Sequence, residues 1–511
     1  MDAASESTRT MSTEPADAQT LSSIEDVSHP SIPAELQIQI FAFACTDSDI
    51  NVTDILRFTR VCRSWRHVIY NAPEFWTRLR LDWEQYCKGA RADVVLGKAS
   101  PVQEWIARAG SHALAIDIHN PYLVYNSENP AVELLRDPLV FPMHRLRELS
   151  ISLNMVQRLP ESIVYGSQVL FPSLEVLQLD EPVRESVIWG SFGRYPRTRT
   201  RAVQMFRHSP LLRTVVLDVA PARMSTTLNQ RLSLPWQSLQ RLELCLDHSS
   251  HAGWTLEACT SVTNVKLKLS QLRNNPTLDD DEPPTCTLPS VRTFTLDAHS
   301  AFPTDFLRMV AMPNLASFAL IAHYSNMKRI ERWPNGTWAL TRFIGRAPLI
   351  RSLVLRQSGF ENEGGLYASQ HLPLLEEITL KWRATECPSW RITDELCHSG
   401  SCPNLRRIIL HGVQPMDAEH NQGLALFLAG IPALVQARLA LAMVRLQHVE
   451  VSIRNCSVED VKKLNWCKEL MALANDKLRI DIVQLEPEAA NYGEVPGGLK
   501  NLTPAFEAGV F

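Results

Sequence analysis

Two kinds of hydrophobic spacing divide the chain into a short helical stretch and a long repetitive one. Between residues 32 and 76, apolar side chains such as Leu36, Ile40 and Phe43 recur at the spacing of a helix face. Pro33 suits the first turn of this helix, where its missing N–H leaves nothing unsatisfied. Further along the chain the spacing changes to short alternating runs, which predict strands.

The helical stretch contains more apolar surface than a module of its size buries internally. After a polar break at Cys45–Asn51, a second helix is predicted with Thr53 or Asp54 as its N-cap, and a third element spans Pro73–Trp76. The apolar residues of the second helix are Leu56, Phe58, Val61, Cys62, Trp65, Val68 and Ile69. A module of fewer than about 50 residues buries little surface internally. We therefore expect some of these apolar side chains to pack on the rest of the chain or on a partner.

The long stretch repeats one phrase, in which a helical apolar segment and a proline precede the pattern L-x-x-L-x-L. The first apolar position of each copy falls at residues 146, 174, 212, 239, 262, 291, 315, 350, 375, 405 and 446. Most steps are close to the ~20–29 residues of a leucine-rich repeat, and the longer steps require inserted loops. Each unit is expected to place a strand on a concave parallel sheet and a helix on the convex side, so that stacked units share one core.

Helices are predicted before the prolines, at Val203–His208, Phe306–Val310, Trp338–Arg346 and Gly423–Gly430. Proline is expected to end each helix, because it lacks the N–H that a helix interior needs. A last helix at Val458–Leu473 and a last strand at Leu478–Leu485 are predicted to cap the array. The predicted fold class is therefore α/β, with a small three-helix module followed by an irregular solenoid.

The helical stretch also carries a series of short motifs in a fixed order. The motifs are Ile32-Pro33, Glu35-Leu36, Ile40-Phe41, Val61-Cys62-Arg63-Ser64-Trp65-Arg66 and Pro73-Glu74-Phe75-Trp76. In order, spacing and residue type they resemble the F-box, with Ile32 at a position where leucine is commoner. The resemblance implies an element that docks to the adaptor subunit of an SCF-type ubiquitin ligase and, through it, to a cullin.

The resemblance assigns ten residues to the core of the F-box and to its adaptor-facing surface. They are Ile32, Pro33, Leu36, Ile40, Phe41, Leu56, Val61, Trp65, Pro73 and Trp76. Among them, Trp65 and Trp76 are expected in the core, whereas Ile32, Pro33 and Leu36 are expected at the contact. The repeats would then hold a target protein near the ubiquitin-charged enzyme of the complex.

The segment after the helical module predicts a junction helix and an atypical first repeat. Val102, Trp105 and Ile106 mark the helix, and Leu114–Ile118 marks the strand. With this segment the chain resembles fungal F-box proteins with divergent leucine-rich repeats. The expected organisation is a disordered segment 1–29, the F-box 30–78, the junction and first repeat 79–140, the solenoid 141–455, a C-terminal cap 456–486 and a tail 487–511.

Net charge, apolar runs and cysteine content indicate which classes of partner and which cellular compartment to expect. A net charge of −4 over 511 residues provides no basic field for nucleic acid or a membrane surface. No run reaches the ~20 apolar residues of a membrane-spanning helix. The 11 cysteines contain no CxxC pair, which favours reduced thiols in the cytoplasm or the nucleus. We therefore expect neither nucleic acid nor a membrane as a partner.

Charged residues beside the last apolar positions of each unit predict a concave face that is acidic first and basic later. The early residues are Glu148, Asp180, Asp218 and Glu243, and the late ones are Arg356, Lys381, Arg407 and His411. An inserted loop with Arg197, Arg199 and Arg201 suits a phosphorylated or acidic segment. A second loop, Asp279–Glu282, is acidic. Either this polarity selects a target protein, or the positions are ordinary solvated ones.

No motif indicates catalysis, a metal or a cofactor. Cys387, Cys397, His398 and Cys402 fit no common zinc spacing, and the cysteines are interpreted as small core residues. The sequence contains no GxSxG elbow, P-loop, dinucleotide fingerprint or HExxH. The leading hypothesis is a non-catalytic substrate receptor of a cullin-based ubiquitin ligase. The alternative is a non-degradative scaffold that binds proteins through its repeats.

Overall fold

A computed structural model describes the helical module and the strands of the repeat region. The described residues are 32–44, 52–82, 99–119, 142–166, 170–180, 202–218, 232–246, 249–269, 286–298, 304–322, 334–356, 372–381, 396, 402–413, 422–441, 446–454 and 456–485. The predicted segment 1–29, the basic loop with Arg197, Arg199 and Arg201, the acidic loop Asp279–Glu282 and the tail 487–511 lie outside the described residues.

Three short helices and one 3-10 turn form the N-terminal module. The helices are α1 Ala34–Ala44, α2 Val52–Phe58 and α3 Arg63–Asn71, and the turn is Pro73–Trp76. Cys62 caps α3, because its Sγ accepts a hydrogen bond from the N–H of Trp65 at 3.4 Å. Pro73 begins the turn, where no N–H is needed.

The single second helix predicted through Leu56–Ile69 is wrong, because a turn at residues 59–61 divides it and Cys62 caps a new helix, α3. Helix α2 begins at Val52, so neither Thr53 nor Asp54 precedes it as the predicted N-cap. The first helix and the element Pro73–Trp76 form as predicted.

One parallel sheet runs through the rest of the described chain. Its strands are β1 Arg78–Asp82, β2 Leu114–His119, β3 Leu146–Ser152, β4 Val176–Asp180, β5 Thr214–Asp218, β6 Arg241–Leu246, β7 Asn264–Leu269, β9 Thr293–Ala298, β11 Ser317–Ala322, β12 Ser352–Arg356, β13 Glu377–Lys381, β14 Arg407–Val413, β15 His448–Ile453 and β16 Arg479–Gln484. Two short strands, β8 Cys286–Thr287 and β10 Val310–Ala311, pair separately. Among the described residues the large sheet has 14 strands in chain order. Each copy of L-x-x-L-x-L adds one strand, as the repeat pattern predicts.

The polar residue that follows the proline of a unit connects it to the unit before. The Asn314 side-chain amide donates a hydrogen bond to the carbonyl of Pro289 at 2.8 Å. Asn404 donates in the same way to the carbonyl of Pro373 at 2.7 Å. These bonds satisfy carbonyls that the turns leave open, so the Pro-Asn pairs in the sequence fix the stacking of neighbouring units.

The helices of the middle units pack on one face of the sheet. The helices after the module are α4 Ala99–Arg108, α5 Leu153–Arg158, α6 Glu161–Val164, α7 Ser249–Glu257, α8 Thr304–Met309, α9 Pro334–Gly345, α10 Gln422–Ala440, α11 Val458–Lys462 and α12 Asn465–Ala472. The ring of Phe294 in β9 lies 5.8 Å from that of Phe306 in α8, between centroids. Phe318 in β11 lies 5.1 Å from Phe343 in α9. The predicted α/β class, with a helical module and a large parallel sheet, is confirmed.

The helix predicted at Val203–His208 is wrong, because residues 205–208 form a turn. Val203 forms an isolated parallel bridge with Leu232, and the N–H groups of Gln204 and Met205 both bond to the carbonyl of Val164. The backbone bonds of this segment to Val164 and its bridge to Leu232 take the place of the intrahelical bonds that a helix would make.

Proline does not end the helix predicted at Gly423–Gly430, because α10 continues through Pro432. A proline in a helix interior removes one backbone hydrogen bond. Leu428 before it and Leu434 after it are both buried. Their burial offsets the lost bond and keeps the helix continuous.

The helix predicted at Val458–Leu473 is divided into α11 and α12. Leu464 interrupts it with extended backbone angles, φ −70° and ψ 143°. Ser457 caps α11, since its Oγ accepts from the N–H of Asp460 at 3.1 Å. The helices predicted at Phe306–Val310 and Trp338–Arg346 correspond to α8 and α9, and the last predicted strand corresponds to β16.

Strand β1 is absent from the sequence predictions. Its residues Arg78-Leu79-Arg80-Leu81-Asp82 alternate polar and apolar side chains, which is the pattern of a half-buried strand. It pairs with β2 in parallel, with Leu79 opposite Ile116. The sheet therefore begins directly where the helical module ends.

Candidate protein-docking surfaces

The interior of the N-terminal module is a cluster of aromatic rings. Phe41 of α1 stacks on Phe58 of α2 at 5.3 Å and meets Trp65 of α3 edge-on at 4.7 Å, between ring centroids. Phe75 of the 3-10 turn lies 6.4 Å from Phe41. Aromatic contacts of this kind add to the free energy of burying the rings. The four elements of the module are thus held together around Phe41.

A second set of large apolar side chains in the module points to solvent. These side chains and their exposed fractions are Ile32 50%, Leu36 49%, Ile40 50%, Phe43 83% and Val61 60%. Leu36, Ile40 and Phe43 lie at i, i+4 and i+7 on α1, so they share one face of this helix. We call these five residues the apolar face of the module.

The structure divides the ten F-box residues predicted from sequence into exposed and enclosed ones. Ile32, Pro33, Leu36, Ile40 and Val61 are exposed. Phe41, Leu56 and Trp76 are buried, and Trp65 and Pro73 are partly buried. Phe43 is missing from that set although it is the most exposed of the five apolar residues. Its spacing from Leu36 and Ile40 is the signal that identifies it.

An aromatic junction joins the module to the sheet. The ring of Trp76 meets that of Trp105 in α4 at 4.6 Å, and its indole N–H donates to the carbonyl of Ile69 at 2.9 Å. The guanidinium of Arg108 lies 3.9 Å from the centroid of the Tyr70 ring and 4.8 Å from that of Trp76. These contacts are the T-shaped and cation–π arrangements that stabilise partly buried aromatic clusters. The module is therefore packed against the first repeat rather than tethered to it.

The side chains of the sheet that alternate with the buried ones form an open face, which corresponds to the concave face predicted from sequence. Its middle column is Arg80, Asp117, Ser150, Gln178, Val216, Glu243, Lys266, Thr295, Ala319, Val354, Thr379, Ile409, Glu450 and Asp481. Its last column is Ser152, Asp180, Asp218, Cys245, Lys268, Asp297, Ile321, Arg356, Lys381, His411, Ser452 and Val483. Its first column is Glu148, Val176, Thr214, Arg241, Asn264, Thr293, Ser317, Ser352, Glu377, Arg407, His448 and Arg479.

The acidic residues predicted for the early units fall into three different columns. Glu148 lies in the first column and pairs with Arg78 at 3.4 Å. Glu243 lies in the middle column and pairs with Lys266 at 2.5 Å. Asp180 and Asp218 are direct neighbours in the last column. Part of the predicted acidic character is therefore neutralised by ion pairs on the face itself.

Of the four residues predicted for the late units, three lie next to one another in a single column of the sheet. Arg356, Lys381 and His411 occupy successive positions of the last column, on β12, β13 and β14. Arg407 lies in the first column instead, where its guanidinium pairs with Glu377 at 3.3 Å and with Glu450 at 3.4 Å. Among the four late residues, Arg407 is thus separated from the others. The three arginines predicted in the basic loop, Arg197, Arg199 and Arg201, lie outside the described residues.

Buried cysteines in the repeat region behave as core residues. Burial raises the pKa of Cys259 to about 12, and it raises the pKa of Cys402 to about 11 despite the nearby positive charge of Arg438. Such thiols stay protonated and unreactive at neutral pH. Cys402 was predicted as a core residue, and it is buried. Cys387, Cys397 and His398 lie outside the described residues.

Two further properties concern the described residues alone. Within them, no cluster of His, Cys, Asp and Glu side chains is arranged to hold a metal ion. No helix in the same residues combines the length and hydropathy needed to cross a membrane.

Comparison with known families identifies the helical module. Residues 29–82 match the family described as F-box-like, a range that includes α1, α2, α3, the 3-10 turn and β1. No curated protein matches the chain. A crystal structure of a protein from Bacteroides fragilis is 11% identical, with 66% of this chain and 74% of that chain covered and a TM-score of 0.30, and so weak a likeness carries no argument. The N-terminal module is an F-box-like domain.

Proposed function

We propose that this chain is the substrate-recognition subunit of an SCF-type, cullin-based ubiquitin ligase. F-box domains bind the adaptor subunit of these ligases, and the adaptor connects them to a cullin. In this proposal the F-box-like module docks to the adaptor, and the open face of the sheet binds a target protein. The chain has no catalytic residue in this scheme, because it accelerates ubiquitin transfer only by holding the target close to the charged enzyme.

The observation that carries the proposal is the apolar face of the module. A soluble domain seldom leaves several large apolar side chains exposed side by side unless a partner covers them. The ring contacts around Phe41 come from Phe58, Trp65 and Phe75, whereas Leu36 and Ile40 are about half exposed. Burying a fully exposed side chain of this size contributes about 1.5–3 kcal/mol, and Leu36 and Ile40 are about half exposed, so the apolar side chains of α1 provide part of the binding free energy.

The aromatic junction supports the target-binding half of the proposal. Trp76 and Arg108 pack the module against the first repeat, so the sheet extends from the adaptor in a defined direction. A receptor must place its target within reach of an enzyme that is held elsewhere in the complex. A packed junction keeps that distance constant, whereas a flexible tether would spread it over many values.

Co-purification with the ligase adaptor tests the docking role. The full chain is compared with a Pro33→Ala/Leu36→Ala double variant and with Leu426→Ala as a matched control. Leu426 lies in α10 and is 50% exposed, against 49% for Leu36, so both changes remove an exposed leucine. We expect the wild type and the Leu426 variant to co-purify with the adaptor. The double variant should not bind it. Equal binding by all three proteins would contradict the proposal.

A second experiment separates the receptor from the alternative, a non-degradative scaffold. The complex of the chain and the adaptor is mixed with the cullin, and incorporation into a larger assembly is followed by size-exclusion chromatography. A receptor is expected to enter the cullin complex together with the adaptor. A chain that binds the adaptor but blocks the cullin would be a scaffold.

A further inference from the structure

Two basic side chains in the second half of the open face have no acidic partner within the part of the chain that the structure describes. Arg356 and Lys381 occupy paired positions on β12 and β13. Neighbouring strands lie about 4.8 Å apart, and like charges that face each other across two strands destabilise a sheet. Among the described residues, no carboxylate lies within ion-pair distance of either side chain. Within the described part of the sheet, the two positive charges are therefore side by side without a carboxylate between them.

Several other basic side chains on the same face are neutralised. Lys266 pairs with Glu243, and Arg407 is held between Glu377 and Glu450. These pairs show that the sheet readily provides a carboxylate in a neighbouring column. What distinguishes Arg356 and Lys381 is that two basic side chains without a carboxylate partner among the described residues lie opposite each other on neighbouring strands.

An apolar strip adjoins this basic pair. The strip consists of Ala319, Val354 and Ile409 in the middle column and Ile321 in the last column, and all four are only partly buried. The buried Thr379 of β13 lies between Val354 and Ile409. Ile321 lies directly opposite Arg356 in the register of β11 and β12. A ligand that covers the strip consequently brings its neighbouring groups next to the guanidinium of Arg356.

We propose that the apolar strip and the Arg356–Lys381 pair bind an extended segment of the target protein, in which an aspartate or glutamate follows or precedes a large apolar residue. The carboxylate would relieve the repulsion between the two cations, and the apolar side chain would cover the strip. This inference rests on the proposed function, since it specifies the class of target segment that the receptor recognises.

A carboxylate suits the site better than a phosphate group. Phosphate is usually held by several arginines, often with backbone N–H groups as additional donors. Here the pair contains one guanidinium, and the N–H groups of β12 and β13 lie within the ladder of the parallel sheet. The neighbouring apolar strip also favours a ligand whose charge is confined to one or two side chains.

The test uses peptides, because the target is not identified. A display library of random unphosphorylated dodecamers is selected on the purified complex of the full chain with the adaptor. The most enriched peptide is then labelled with fluorescein, and its affinity is measured for variants of the full chain. We expect the enriched sequences to place Asp or Glu beside Leu, Ile, Phe or Met.

Charge reversal at the pair gives the decisive comparison. In Arg356→Glu/Lys381→Glu, we expect peptide affinity to fall by about tenfold or more, as for the loss of a charge-assisted contact. Ile409→Asp should weaken binding as well. Arg241→Glu is the matched control, because Arg241 is an exposed basic residue in the first column of the same face, away from the strip. That variant is expected to bind the peptide as the wild type does.

The outcomes distinguish this inference from the proposed function. Adaptor binding is measured for every variant, and it should be unchanged in all of them. Equal peptide affinity for wild type and the double charge reversal, or enriched peptides without acidic residues, would overturn the inference while leaving adaptor docking intact. A peptide that binds only when a phosphoserine replaces the acid would overturn it as well.

Discussion

The two candidate binding surfaces are constructed from different kinds of side chain. The apolar face of the module consists of large apolar residues, and three of them lie on one short helix. The strip on the open face consists of partly buried aliphatic residues from β11, β12 and β14, bordered by the charges of Arg356 and Lys381. The difference suggests two roles: the first surface provides strong binding to one constant partner, and the second selects among targets by charge.

The largest change in the free energy of unfolding is expected for Trp76, at the aromatic junction between the module and the sheet. Trp76 is fully buried at the junction, so Trp76→Ala should lower the free energy of unfolding by about 3–5 kcal/mol. Leu36→Ala, on the exposed side of the same module, should change it by no more than about 0.5 kcal/mol. Chemical denaturation followed by tryptophan fluorescence measures both. A neutral Trp76→Ala would mean that the module is not packed on the sheet.

A smaller effect is expected at the cation–π contact of the junction. Arg108 covers the rings of Tyr70 and Trp76 and also pairs with Glu104. Replacing Arg108 by alanine should cost about 1–2 kcal/mol, because both the charge and the packing of its stem are lost. Arg108→Lys should recover part of that loss. Hydrogen exchange of α3 and β1 would detect the loosened junction, and unchanged exchange in both variants would contradict it.

The affinities at the two surfaces should depend differently on salt concentration. Adaptor binding through apolar side chains is expected to change less than about twofold between 0.05 and 0.5 M salt, because burial of apolar area is not screened. Binding of an acidic peptide to the open face should weaken by about tenfold over the same range. Fluorescence anisotropy of the labelled partner measures each affinity. Equal salt dependence at both surfaces would remove the distinction between them.

Arg356 and Arg407 should respond in opposite ways to the same change. Arg407→Met removes a double ion pair and should lower the stability by about 0–1 kcal/mol, with little effect on peptide binding. Arg356→Met relieves a like-charge contact and should leave stability unchanged or slightly higher, yet weaken peptide binding. Thermal unfolding and peptide titration of the two variants provide the check. A loss of stability in the Arg356 variant would show that this residue has an acidic partner after all.

The smallest effect concerns the last strand. Burial alone would raise the pKa of Asp481, but hydrogen bonds from Arg479 and His448 outweigh it and keep the pKa below its ordinary value. A carboxyl with a lowered pKa in the folded state stabilises the fold above its unfolded pKa, and this contribution disappears as the pH falls through the folded pKa. Below about pH 4, the exchange protection of β16 should therefore decrease. Asp481→Asn should remove this pH dependence, and an unaltered acid response would contradict it.

Much of the fold is readable from the sequence because its signals are local. The spacing of Leu36, Ile40 and Phe43 lies within one helix, and each strand is contained in one L-x-x-L-x-L run. The predicted helix end before Pro432 is wrong, because α10 continues through this proline. The burial that keeps α10 continuous comes from packing against other elements, which is not visible in the local sequence. The columns of the open face depend on the register of strands roughly 20–40 residues apart. For that reason the sequence grouped Arg407 with Arg356, whereas the structure places it between two glutamates.

Hydrogen–deuterium exchange of the full chain, with and without the ligase adaptor, tests the central claim most directly. The account predicts that the adaptor slows exchange in α1 and in the segment around Val61, while the strands of the open face are unchanged. It also predicts that Leu36→Asp abolishes this protection and that Leu426→Asp preserves it. Unchanged exchange in α1, or protection confined to the sheet, would contradict the assignment of the apolar face as the docking surface.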